Sequence, residues 1–304
     1  MRRALLTITA VIFAVTTGLT QGGRGQRLPP IDPPDSYYSK NIPPNLVEFE
    51  MMTWPEVYRA MHHEGKTTAL FYVGGTEHRG PQNVNGGHTL MARETVKAIA
   101  LQLGNAIAMP VLAYSPNNAS DQQTGTIGLT APLLTLILVQ LGQEAINTGF
   151  KNVILMGDHG GGQPGSYHDA AKQLDDKYAA LAASENRKQD VHVYFCDEVY
   201  KKAQDDYEAM LQSKGLPTSS HAGIQDTSEM MYLGQGKNWT RVDLLPVAVG
   251  GRGAAPADPN APRVVASGVQ GDGRQSSIEL GKIAFDNKVN YAVRQIKEFL
   301  ASQK

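Results

Sequence analysis

Residues 149–162 read Gly-Phe-Lys-Asn-Val-Ile-Leu-Met-Gly-Asp-His-Gly-Gly-Gly. At their centre Val153-Ile154-Leu155-Met156 is apolar at every position, without the alternation of a strand wetted on one side, which predicts a central strand covered by helices on both faces. Working outward, Thr67–Val73 (TTALFYV) is a second such run and ends in Gly74-Gly75. Ile107–Tyr114 and Val191–Cys196 (VHVYFC) read as two more strands. Helical patterns lie between them. Trp54–His63 is one; Ala92, Val96, Ile99 and Leu103 mark a second; Leu133–Ile146 is a third, led by Thr130 and Pro132 and stopped by Gly149. Glu229–Leu233 is a short helical run, and the C-terminal helix carries a capping box, Ser276 with Glu279, before an apolar stripe of Phe285, Val289, Ala292, Ile296 and Phe299. Helices between such strands imply βαβ units with right-handed crossovers. The fold class expected is α/β: a single three-layer α/β/α domain with a mostly parallel central sheet.

The chain has 304 residues, 41% of them hydrophobic, enough for a sizeable core. Its 31 Gly and 17 Pro make about a sixth of the residues, above the usual share, which points to many shaped loops, the segments that usually carry sites. With 28 basic and 29 acidic residues, no positive excess calls for a nucleic-acid partner. The lone Cys196 lies in an apolar strand pattern, and a single cysteine excludes an intrachain disulfide and any cysteine-cluster metal site.

Arg2 and Arg3 precede an apolar run, Ala4 to Leu19, that is interrupted by threonines and ends in small and polar residues. That layout predicts a signal peptide over residues 1–22, export to the periplasm or beyond, and no stable membrane insertion after cleavage. Residues 23–45 hold four Pro within Gln26 to Asp35 and read as an extended linker, leaving 46–304 as the folded domain.

In open α/β sheets ligands bind at the carboxyl ends of strands. Three polar clusters stand there or at helix starts: Gly74 to Pro81 with Gly86-Gly87-His88, Gly157 to Gly162, and His221 to Ser228. They contain four of the eight histidines, His78, His88, His159 and His221. Imidazoles and a carboxylate converging from separate strand ends suit a divalent metal with an open position for water. The competing motifs are missing. The glycines at 160–162 form neither of the nucleotide-loop patterns, and there is no Gly-x-Ser-x-Gly for a serine hydrolase.

The order and spacing of the clusters resemble the creatininase (creatinine amidohydrolase) family over roughly residues 50–300. That family's first motif, Gly-Ser-x-Glu-Gln-His-Gly-Pro-His-Leu-Pro-Leu-Gly-Thr-Asp, aligns without a gap on Gly74 to His88. Its second, a Gly-Phe-x-x-Val strand leading to Asn-Gly-His-Gly-Gly-Asn, is similar to Gly149 through Gly162; its third, His-Ala-Gly-x-x-Glu-Thr-Ser, to His221 through Ser228, with Asp226 at the acidic position. A late Gly-Val-x-Gly-Asp recurs at Gly268 to Asp272. The resemblance implies a metal-dependent hydrolase whose metal-activated water attacks a cyclic amide C–N bond, a small-molecule substrate and a homo-oligomer, commonly a hexamer.

The departures matter chemically. Where family members often hold two metals, Glu77 and His159 are retained, but the first-motif His is Arg79 and the Asp that can bridge two metals is His88. Gly161 stands where creatininase places a further carboxylate. The expectation is therefore one divalent metal, zinc first and manganese or iron next, held by Glu77, His88 and His159. Asp226 would be a fourth ligand or a carboxylate orienting a His. His221 would shuttle the proton to the leaving nitrogen. Arg79 would place a fixed charge where a second metal sits and hold a substrate carboxylate or the developing oxyanion. Two other readings stay open: a metal- or ligand-binding protein without hydrolysis, and opening of a lactone or cyclic ketone.

Overall fold

The computed structural model describes residues 30–119, 124–219, 221–250 and 267–303. The expected signal peptide, the first part of the linker and most of the 250–263 loop lie outside these residues. Residues 30–45 are largely exposed and contain only a short 3-10 turn, Asp35–Tyr37.

Four parallel strands form the central sheet: β1 (Thr68–Val73), β2 (Ala106–Ala108), β3 (Asn152–Gly157) and β4 (His192–Phe195), in the order β2-β1-β3-β4. The helices are α1 (Trp54–His62), α2 (Gly87–Leu103), α3 (Ala131–Thr148), α4 (Gln163–Ser184), α5 (Lys201–Ser213), α6 (Ile224–Leu233) and α7 (Ile278–Ser302). A two-residue antiparallel pair, β5 (Val249–Gly250) with β6 (Gly271–Asp272), lies apart from the sheet.

The uniformly apolar strands are explained by what covers them. Ala69, Phe71, Val73, Val153 and Leu155 point into one core with α1, α3 and α4. Leu70, Tyr72, Ile154 and Met156, the alternate residues, point into a second core with α2 and α7. Successive strand side chains face opposite sides, so two apolar layers require two apolar faces. The expected three-layer α/β/α architecture with a parallel sheet is observed.

Two local expectations are corrected. The strand expected over Ile107–Tyr114 stops at Ala108, because Pro110 has no N–H to give to the ladder; pairing resumes only as an isolated bridge between Val73 and Leu112. The cap of α7 is Ser277, whose side chain accepts from the Leu280 N–H, while Ser276 donates its hydroxyl to the Gly273 carbonyl. Thr130 and Gly149 bound α3 as its sequence implied.

Chain direction then places the site. The β1-to-β2 crossover through α2 runs over one face of the sheet, and the β2-to-β3 crossover through α3 over the other. The order reverses between β1 and β3, whose last residues Val73 and Gly157 are register partners. A crevice at the carboxyl ends of these strands follows from that reversal.

Candidate metal centre

Glu77 leaves β1 by four residues, His159 leaves β3 by two, and His88 is the second residue of α2. All three are buried, and one ligand atom from each lies within 4.8 Å of the others. Glu77 Oε1 is 3.1 Å from His88 Nε2, and its Oε2 is 3.1 Å from His159 Nε2. Asn117, from the loop after β2, sets its Nδ2 3.1 Å from Glu77 Oε2 and 3.2 Å from His159 Nε2. The three ligand-type residues line a cavity of about 300 Å³ together with Asn117, His221, Tyr200, Gln225 and others.

In the metal-free chain the Gly161 backbone sets the His159 ring and leaves its proton on Nε2. The Gly161 N–H donates to His159 Nδ1 at 3.1 Å, which turns Nε2 toward Glu77. A Cβ at Gly161 would lie 2.6 Å from His159 Cε1, so a side chain there displaces the ring. The missing carboxylate at that position is therefore a condition of the present His159 orientation.

Arg79 is fully buried. Its Nη1 is 3.2 Å from Glu77 Oε1 and its Nη2 is 2.8 Å from Asp226 Oδ2. A Cβ on Gly87 would come 2.8 Å from Arg79 Cδ and Nε, so the long side chain fits because residue 87 is glycine. Arg79 is absent from the cavity lining, and its charged end is spent on two carboxylates. The expectation that it holds a substrate carboxylate or an oxyanion does not fit that placement; its fixed positive charge beside Glu77 does.

Asp226 is likewise placed differently from expectation. It stands outside the Glu77, His88 and His159 cluster, accepts from the Ala222 N–H at 2.7 Å and pairs with Arg79 rather than with a histidine. The carboxylate that meets a ring is Asp158, whose Oδ1 is 3.1 Å from His88 Nδ1. Lys288 of α7 reaches 2.6 Å from Asp158 Oδ2 and 2.6 Å from Glu229 Oε2. Sequence reasoning passed over Asn117, Lys288 and Glu229 and assigned Asp158 no role. Only Asp158, in the stretch before His159, carried a local signal.

His221 borders the cavity, with Nε2 2.9 Å from the His78 carbonyl and Nδ1 3.6 Å from Glu77 Oε1. With Nε2–H donated to that carbonyl, a neutral ring presents its Nδ1 lone pair inward.

These contacts set the charges of the metal-free chain. Burial pushes the Glu77 carboxyl up, but hydrogen bonds from His159 and His88 and the Arg79 charge outweigh it and hold Glu77 well below the usual carboxylate range. Burial and Arg79 oppose protonation of His88, yet Asp158 and Glu77 push it up to about 9. Burial raises Asp226 less than Arg79, His88 and His221 lower it. The result is a lattice of alternating charge in which every buried ion meets an opposite one.

A family model described as Creatininase: Creatinine amidohydrolase matches residues 50–296. No match was found among curated proteins. Solved structures give the same fold. A creatininase with Mn is 20% identical with a TM-score of 0.65, covering 83% of this chain and 98% of that one. A creatinine amidohydrolase (creatininase) is 19% identical with a TM-score of 0.62, covering 83% and 97%. A creatininase variant of the Zn-Zn type is 20% identical with a TM-score of 0.60, covering 83% and 98%. The chain thus belongs to the creatininase family.

Proposed function

We propose that this chain is a one-metal hydrolase that opens an amide C–N bond in a small, preferably cyclic substrate. The observation that carries the reading is the convergence of Glu77, His88 and His159 on a cavity that His221 also borders. Two imidazoles and one carboxylate are a donor set suited to zinc, with manganese next. When bound there, a divalent ion supplies Lewis acidity for a carbonyl and acidifies water. Arg79 supports a count of one, because its guanidinium pairs with Glu77 and Asp226 and repels a second cation from that side.

The chain's own residues do the rest. His221 Nδ1 takes a proton from the attacking water and returns it to the leaving nitrogen. Asn117, at the cavity wall, donates a side-chain N–H to Glu77 Oε2 and holds that carboxylate in place. Hydrogen bonds from His159 and His88, together with the Arg79 guanidinium, keep Glu77 ionised.

The Arg2-Arg3 start and the apolar run after it support export of the mature chain. Homo-oligomerisation is supported by the family and by Leu133, Leu136 and Leu141 of α3, which are apolar and exposed. The deciding experiment loads the mature protein with zinc or manganese and follows ring opening across cyclic amides, lactones and cyclic ketones. Amide opening that tracks one metal per chain supports the reading. Turnover confined to lactones or ketones replaces the reaction, and no turnover with tight binding of a ring compound replaces the enzyme by a binding protein.

A further inference from the structure

Asp158 and Lys288 have no part in the proton transfers above, yet Lys288, Asp158, His88 and Glu77 form one continuous buried chain. Lys288 Nζ lies 2.6 Å from Asp158 Oδ2, Asp158 Oδ1 lies 3.1 Å from His88 Nδ1, and His88 Nε2 lies 3.1 Å from Glu77 Oε1. Its members come from α7, the β3 exit, α2 and the β1 exit, so each link fastens a different element to the strand ends.

We propose that Lys288 is a positioning residue that acts through Asp158 to fix which nitrogen His88 presents to the metal. This rests on the reading of Glu77, His88 and His159 as the metal site. An imidazole that gives its Nδ1–H to an anionic acceptor keeps the Nε2 lone pair for an ion, and the acceptor raises the basicity of that nitrogen. Asp158 plays the acceptor only while its Oδ1 is aimed at His88, and its side chain is 1% exposed. Lys288 Nζ, 2.6 Å from Oδ2, holds the other oxygen and so sets the direction of Oδ1.

Stability does not account for this arrangement. Buried ion pairs can usually be exchanged for apolar groups of like volume without loss, and the residues around Lys288 on α7 (Ala284, Val289, Ala292) are apolar and buried. What an apolar residue cannot do is grip the second oxygen of Asp158 and keep the first aimed at His88. Both members of the Asp158–His88 contact also depart from the family motif together: His88 stands where the motif has Asp, and Asp158 where it has Gly. Glu229 Oε2 also lies 2.6 Å from Lys288 Nζ but does not reach the Asp158–His88 contact.

The test measures the affinity of the full mature chain for zinc by chelator competition, with far-UV circular dichroism as the check on folding. Asp158→Asn and Lys288→Met are expected to weaken zinc binding by about ten- to a hundredfold while the count stays at one per chain. Lys288→Arg, which keeps the charge, is expected to restore binding to near that of the unaltered chain. Glu229→Gln, which disturbs the same buried cluster without touching the Asp158–His88 contact, is expected to leave it intact. Should Lys288→Met fail to fold, Lys288→Met with Glu229→Leu removes the outer pair together and is expected to show the same loss. Unaltered affinity in Lys288→Met or in that double variant overturns the proposal, as does loss in Glu229→Gln equal to that in Lys288→Met. Absence of zinc binding by the unaltered chain instead removes the metal reading on which the proposal stands.

Discussion

The Arg79 guanidinium reaches Glu77 Oε1 on one side and, with its Nη2, the Asp226 carboxylate at 2.8 Å on the other, with no exposure to solvent. A permanent cation thus occupies the flank of the candidate metal site. Removing it leaves a buried carboxylate uncompensated, which typically costs about 3–5 kcal/mol. Asp226 keeps 22% side-chain exposure, so Arg79→Met is expected to destabilise the chain by about 3 kcal/mol, at the low end. Urea unfolding at neutral pH reads this, and a change under about 1 kcal/mol would show that the pair is not needed.

Metal content tests the count directly. Dialysis against zinc followed by elemental analysis is expected to give one ion per chain. His159→Ala is expected to lower affinity by about a hundredfold, since one of three protein ligands is replaced by water. Two ions per chain would contradict the part assigned to Arg79.

Gly161 gives a subtler test of the same centre. A Cβ there falls 2.6 Å from His159 Cε1 and 2.8 Å from the Pro116 carbonyl oxygen. Gly161→Ala is expected to turn the ring and reduce zinc affinity by about tenfold with little change in global stability, an effect on the scale of a disturbed ligand orientation. Unaltered affinity would mean the loop yields instead of the ring.

His221 separates catalysis from binding. His221→Ala is expected to reduce turnover by about two to four orders of magnitude, the usual scale of acid–base catalysis, with metal content and KM little changed. A fall in metal content instead would make His221 a ligand.

The metal-free chain is expected to show a stability maximum in mildly acidic solution. Glu77, Asp158 and Asp226 are held below their ordinary values, so their contribution is present above about pH 4 and lost as pH falls beneath it. His88, raised from 6.5 to about 9, contributes fully below 6.5 and loses its contribution as pH rises through 9. Thermal melting after chelation is expected to peak between about pH 5 and 6.5 and to fall on both sides. A melting temperature that rises from pH 6.5 to 9 would contradict the His88 assignment.

The sheet was readable in the sequence because its cause is local composition. Val153 to Met156 and Thr67 to Val73 are apolar without alternation, and only coverage on both faces makes that pattern stable. Glu77, His88 and His159 were readable because each stands directly after a strand or at a helix start, where a parallel sheet gathers its loops. The end of β2 was set too late because Pro110 breaks the ladder just past Ala108, and the cap of α7 was off by one because Ser276 and Ser277 offer the same hydroxyl and local hydrogen bonds choose between them.

The sequence by itself therefore determined the α/β layering, the strand exits that carry the chemistry and the residue types gathered there. Only the tertiary structure decided which charges pair. Asp226 lies on the helix that follows His221 and looked available to a metal or a histidine, yet it meets Arg79; Lys288, 130 residues from Asp158, meets that carboxylate. The physical reason is that a buried charge must find an opposite one within a few ångströms, and along a chain of this length that partner is set by how helices pack over the sheet rather than by neighbourhood in sequence.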